Sequence, residues 1–206
     1  MVKKIFALVD SRTFHTWNME IYPGCQPEGP YKTRNTASGI VKRLTTKLHN
    51  TGRNVTVDNW YTSYSLAEDL LKKNIILVGT MRKNKRDFPV QFVTGKQRVI
   101  HSLFGFQKDK ALVSYVPKKN KCVNLSTMHN DDTIDTSSGE AKNPEIVTFY
   151  NITKGAVDVV DELSSAYLTA RISKRWPMVV FFVVDEYCSH ECTCVASVDK
   201  KPTNGL

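Results

Sequence analysis

The sequence predicts an α/β fold in which a mixed sheet carries flanking helices and a β-rich segment interrupts the chain. Three observations point to it. Two short apolar runs, residues 4–9 (K-I-F-A-L-V) and 75–78 (I-I-L-V), have the content of strands buried on both faces. Between them apolar residues recur at helical spacing, first at Ile40, Val41, Leu44 and Leu48, then at Leu66, Leu70 and Leu71. From Val90 to about Ile146 the texture changes to short β-rich pieces separated by Lys, Asn and Gly turns.

Taken in order, residues 4–9 form a central strand that ends on Asp10. A carboxylate at the mouth of an apolar strand meets water where the chain leaves the core, a common ligand position; a turn-forming Asp before Ser11 is the plainer alternative. Residues 17–22 form a second strand closed by Pro23-Gly24, with 10–18 as a hairpin-like connection. Thr36 or Ser38 caps the first helix and Gly52 ends it. Residues 54–60 alternate, with Val55 and Val57 on one face and Thr56 and Asp58 on the other. Ser65-x-x-Glu68 has the form of a capping box for the second helix, which Asn74 can stop. After the strand at 75–78, Arg82, Lys83, Lys85 and Arg86 make a cationic loop.

Further on, the strands at 98–104 and 111–116 read as an insertion that stands apart from the first sheet. Residues 130–140 are an acidic loop rich in Ser, Thr and Gly, and 147–150 a short returning strand. The last helix runs over 155–168 with Val157, Val160, Leu163 and Tyr167 as its apolar stripe. Asp158, Asp161 and Glu162 lie at i, i+3 and i+4 on one face, either as a solvated acidic first turn favoured by the helix dipole or as carboxylates offset by a cation. The chain thus divides into a core over 1–89 and 147–184, an insertion over 90–146 and a divergent or truncated tail over 185–206.

Charge narrows the class of partner. The 206 residues carry a net +9, and residues 1–89 hold 15 Lys/Arg against 7 Asp/Glu. The positive excess sits in the half that carries Asp10 and Asp58, which favours a polyanion. Five cysteines, three of them crowded at one end, make no disulfide framework and point to a reducing compartment. Cys188, His190, Cys192 and Cys194 are spaced too tightly for the usual paired zinc ligands. No signal peptide opens the chain, and the longest apolar run, 178–184, falls far short of the roughly 18 residues of a membrane span, so no membrane partner is expected.

Carboxylates from two strand ends and one helix are the ligand types that hard divalent cations prefer, and two such ions can drive phosphoryl transfer. Here the residues carry a resemblance. T-V-D-N-W-Y-T-S-Y-S-L-A-E-D-L-L and V-G-T-M-R-K-N-K-R-D-F-P, around Asp58, resemble the second-aspartate region of piggyBac-type transposases. A-L-V-D-S-R-T-F (7–14) resembles the first-aspartate strand, and L-V-S-Y-V-P-K-K (112–119) the insertion. Y-N-I-T-K-G-A-V-D-V-V-D (150–161) resembles the last-aspartate motif, and S-K-R-W-P (173–177) the block after it.

The resemblance implies an RNase H-like core interrupted by a β-rich insertion. It also implies a nuclear, cut-and-paste DNA transposase with a TTAA-type target. By position Asp10, Asp58 and Asp158 match the acidic ligands for Mg²⁺ or Mn²⁺, and Asp161 a nearby supporting carboxylate. Lys83, Lys85 and Arg86 would contact DNA phosphates, as would Arg171, Lys174 and Arg175, for which a solvated face is the alternative. Transposon ends and target DNA are the implied partners, with a second copy of the chain a further candidate and no small-molecule cofactor. Trp60 reads as a core aromatic, with stacking on a flipped base beside the site as the other reading. Ala156 departs from the family's usual Gly, and the family's long N-terminal region and cysteine-rich end are missing. A domesticated or truncated derivative that binds DNA or a protein without cutting is therefore the alternative function.

Overall fold

The computed structural model describes residues 5–22, 24, 26–82, 92, 102–118, 121–127, 133–141, 143–166, 175, 177–178, 180–182 and 184–185. In chain order its elements are β1 (Ile5–Val9), β2 (Thr16–Ile21), α1 (Ala37–Leu44), β3 (Asn54–Val57), α2 (Tyr64–Leu71), β4 (Ile76–Thr80), β5 (Ser102–Gln107), β6 (Lys110–Lys118), β7 (Lys121–Thr127), α3 (Glu145–Thr153) and α4 (Ala156–Ala166). They fall into two units, residues 1–34 with 155–198 and residues 35–154 with 199–206.

In the first unit β1 and β2 form an antiparallel hairpin, Ile5 opposite Ile21, and α4 packs against β1. The expected hairpin connection is present, but the central strand is corrected. Among the described residues β1 pairs with β2 alone, and only Phe6 in it is fully buried. An apolar run signals burial without saying how many neighbours supply it. The apolar stripe of α4 is also corrected. Its buried residues are Ala156, Val160 and Ser164, while Val157 and Leu163 lie at the exposed margin. Small side chains let a helix lie close to its neighbour, and the larger ones are left at the edge. Tyr167 lies outside the described residues.

The second unit is built on one five-stranded sheet, ordered β3-β4-β7-β6-β5. β3 and β4 are parallel, with Val55 opposite Leu77, joined through α2 as parallel strands require. β4 lies between β3 and β7, α2 packs against it and Val78 meets Val147 and Tyr150 of α3, so its Leu77, Val78 and Gly79 are all buried. The expectation that the later strands stand apart is overturned for the sheet of this unit: β7 pairs antiparallel with β4, so β5, β6 and β7 extend the β3–β4 pair. The β7 sequence K-C-V-N-L-S-T alternates only weakly, and it pairs residues 125–127 with residues 78–80, so no local pattern announces the pairing.

Residues 147–150 are helical rather than a strand. Pro144 opens α3, and Val147 and Tyr150, three apart, pack against Val78, Val113 and Tyr115 on the sheet. A four-residue stretch has no period long enough to separate strand from helix. Thr56 and Thr153 share a 2.8 Å hydroxyl contact that ties α3 to β3.

The first helix has the cap and apolar face its spacing predicts, but it ends at Leu44, with Thr45 as its C-cap, and not at Gly52. Thr36 caps it, accepting from Gly39 N at 3.2 Å, and Ile40, Val41 and Leu44 are buried, with Leu48 in the 3-10 turn that follows. For α2 the cap is Ser63, whose Oγ accepts from Leu66 N at 3.3 Å, and not Ser65. Glu68 is drawn elsewhere: Lys110 of the β5–β6 hairpin donates to its carboxylate at 2.6 Å while lying 3.8 Å from the Tyr64 ring centre. Asn74 ends the turn after α2 in a left-handed conformation, φ 54°.

The hydrogen bond from Lys110 holds the Glu68 carboxyl below its ordinary 4.5. A carboxyl whose pKa is lowered by folding contributes stability above its unfolded pKa and loses it as pH falls through the folded one. Wild type should therefore lose stability relative to Glu68→Gln as pH drops below 4.5. Thermal melts across that range check this; a difference that does not change with pH would rule the linkage out.

Candidate functional site

The first acidic position is set by a turn. Asp10 N donates to His15 O at 2.8 Å and Phe14 N to Asp10 O at 2.9 Å, with Phe14 left-handed at φ 58°. Inside this turn the Asp10 side chain is 1% exposed. Its Oδ1 accepts from Arg12 N at 2.8 Å and Thr13 N at 3.3 Å. Its Oδ2 is buried and has no hydrogen-bond partner. The turn-forming and ligand readings of Asp10 are thus divided between its two oxygens: one holds the loop, and the other is available to a cation. A buried carboxylate oxygen without a donor is costly, and a divalent ion is the kind of group that offsets the cost.

Asp158 and Asp161 lie exposed on the first turns of α4, the helix that packs against β1. Asp10, Asp158 and Asp161 therefore belong to one unit, and Asp58 belongs to the other. Within either unit, among the described residues, no three Asp, Glu, His or Cys side chains converge closely enough to form a ready metal cage. The residues fit a divalent ion at Asp10 on the strength of its unpartnered oxygen, with oxygen donors of the right type at the other positions.

Asp58 follows β3 directly, and its side chain is exposed. Its backbone is fixed more firmly than its side chain. The Asp58 carbonyl accepts from Tyr61 N at 3.1 Å, Thr62 N at 3.2 Å and Thr62 Oγ1 at 3.0 Å. Thr62 is fully buried, and it fits because β4 offers Gly79 there. A Cβ on Gly79 would fall well inside contact distance of Thr62 Oγ1 and 2.8 Å from Val57 O. The signal in the sequence for this contact is a Gly inside a β-branched run, and nothing local marks Thr62.

Because β3 and β4 are parallel, the residues that follow each strand emerge at the same sheet edge. Arg82 Nε donates to Asn59 Oδ1 at 3.2 Å, so the beginning of the cationic loop meets the residue after Asp58. Burial, then the nearby Asp58 charge, pushes the Tyr61 hydroxyl above its ordinary 10. Trp60 is not a core residue: it is 40% exposed and meets the Tyr61 ring at 4.7 Å and 79°. Arg175 is exposed. Lys83, Lys85, Arg86, Arg171 and Lys174 lie outside the described residues, as do Cys188, His190, Cys192 and Cys194.

Two comparisons with known proteins bear on this arrangement. A family model described as Transposase IS4 matches residues 1–188. The chain also superposes, with a TM-score of 0.80 and 33% sequence identity, on the cryo-EM structure of a piggyBac transposase synaptic complex with hairpin DNA. The match covers 91% of this chain and 39% of that one.

Proposed function

The chain belongs to the piggyBac-type transposases of the Transposase IS4 family, and from that premise we propose that it is the catalytic region of a metal-dependent DNA transposase. The observation that carries the proposal is the buried Asp10, whose Oδ2 has no partner. The order hairpin, helix, strand, helix, parallel strand from β1 to β4 supports an RNase H-like core.

In this reading Asp10, Asp58 and Asp158 are the ligands for Mg²⁺ or Mn²⁺, with Asp161 in support. Such ions supply the positive charge that activates an attacking oxygen and stabilises a leaving one. The chain's own contribution is positioning. Arg12 N and Thr13 N hold Asp10 Oδ1 and so direct Oδ2. Thr62 holds the turn that carries Asp58. Arg82, Lys83, Lys85 and Arg86 contact phosphates, as do Arg171, Lys174 and Arg175. In the nicking step a water oxygen forms a bond to phosphorus, the bond from phosphorus to the 3′-oxygen breaks, and that oxygen leaves as a hydroxyl. The freed hydroxyl next bonds to a phosphorus of the opposite strand, the bond from that phosphorus to its own 3′-oxygen breaks, and this oxygen leaves as a hydroxyl as the hairpin closes, in keeping with the hairpin DNA in the similar structure. A TTAA target, a nuclear location and assembly with a second copy complete the proposal.

The test is a labelled duplex carrying a TTAA-flanked element end, incubated with Mg²⁺ or with chelator. Mg²⁺-dependent nicks next to the TTAA are expected. Duplex binding without nicks would instead favour a transposase-derived DNA-binding protein. No binding would remove both.

A further inference from the structure

We propose that Trp60 is a stacking platform for an unpaired nucleobase of the DNA strand held at Asp58; the proposal rests on the transposase reading above. Indole is among the most apolar surfaces a protein can leave in water, so an exposed one calls for a reason. Trp60 is 40% exposed although the neighbouring Thr62 and Leu66 are fully buried. It does not sit on a loose loop. Both Tyr61 N and Thr62 N donate to the Asp58 carbonyl, so the backbone on either side of Trp60 is tied down. The half-buried Tyr61 ring meets the indole nearly perpendicularly at 4.7 Å, which fixes its orientation.

Three neighbours narrow the occupant. Asp58, two residues earlier, disfavours a phosphate directly on the ring, whereas a neutral base face is indifferent to it. Asn59, the residue between, holds Arg82, which brings a guanidinium to the same sheet edge and suits the backbone of the strand that carries the base. A flat aromatic beside a cation is the general arrangement by which proteins hold unpaired bases, through stacking that needs no particular sequence.

The test uses two duplexes, one fully paired and one with a single unpaired 2-aminopurine, titrated into the full chain. Wild type is expected to prefer the unpaired duplex and to quench its fluorescence. Trp60→Ala should weaken that binding about tenfold and leave the paired duplex unchanged. Trp60→Phe should keep most of the preference, which also guards against misfolding of the alanine variant. The salt dependence should be the same in all three, because no phosphate contact is lost. An alanine variant that keeps the preference and the quenching, or a phenylalanine variant as weak as alanine, overturns the stacking role while leaving the transposase reading intact. Failure of wild type to bind either duplex overturns that reading and the platform with it.

Discussion

Asp10→Asn is expected to abolish divalent-ion binding at this position and to lower Mg²⁺-dependent cleavage by more than about 100-fold, because altering groups merely behind a metal ligand already costs about 10–100-fold. Asparagine is the informative replacement. It keeps a carbonyl oxygen for Arg12 N and Thr13 N and puts a neutral amide where Oδ2 is buried without a partner. In chelator the variant should be at least as stable as wild type, since a buried, unpartnered carboxylate oxygen is removed. With Mn²⁺ at about 100 times its dissociation constant, wild type should gain about 2.7 kcal/mol and the variant nothing. Asp10→Ala would confuse the two effects, as it also removes both turn hydrogen bonds, at about 1 kcal/mol each. Thermal melts with and without Mn²⁺, alongside cleavage, decide the matter. If the Asn variant is destabilised in chelator and still gains from Mn²⁺, Asp10 is only a turn former.

What could be read from sequence were features that depend on a few adjacent residues. The apolar face of α1, its Thr36 cap, the stop at Asn74 and the buried strand at 75–78 all follow from local spacing. The strand-end positions of Asp10 and Asp58 were legible for the same reason. What failed depends on partners distant in sequence. The pairing of β7 with β4 joins residues 78–80 to 125–127. The Ser65–Glu68 box was a sound template, but Lys110, 42 residues further on, takes the glutamate. The helix at 145–153 took the place of a strand because Val147 and Tyr150 both face the sheet, a fact set by Val113 and Tyr115. Trp60 departs from the core reading because hydrophobicity alone predicts burial, whereas here Thr62, two residues on, takes the buried place beneath the turn.

That buried threonine leads to the second large effect. Gly79→Ala should destabilise the chain by about 3 kcal/mol, the upper end of the cost of overpacking. The reason is space. Gly79 pairs with Val57 in the parallel ladder, and the added methyl would run into Thr62 Oγ1, 2.8 Å from Val57 O and 3.0 Å from Val57 Cγ2. A flexible side chain could swing aside; a ladder carbonyl and a fully buried threonine cannot without parting the strands or moving the turn. Either movement breaks the Thr62 hydroxyl bond to the Asp58 carbonyl and shifts Asp58 relative to its own strand. Urea titration should show a lower midpoint with an unchanged slope, the sign of lost stability in an otherwise similar fold. Adding Thr62→Ala to Gly79→Ala should cost less than the sum of the single changes, because the worst collision has been removed, although the one with Val57 O remains. Below its melting temperature the Gly79→Ala variant should also cleave poorly while binding duplex DNA normally, since its cationic residues are untouched. A variant within about 0.5 kcal/mol of wild type, the range of ordinary surface substitutions, would mean that the turn carrying Asp58 yields easily and that Gly79 does not position it.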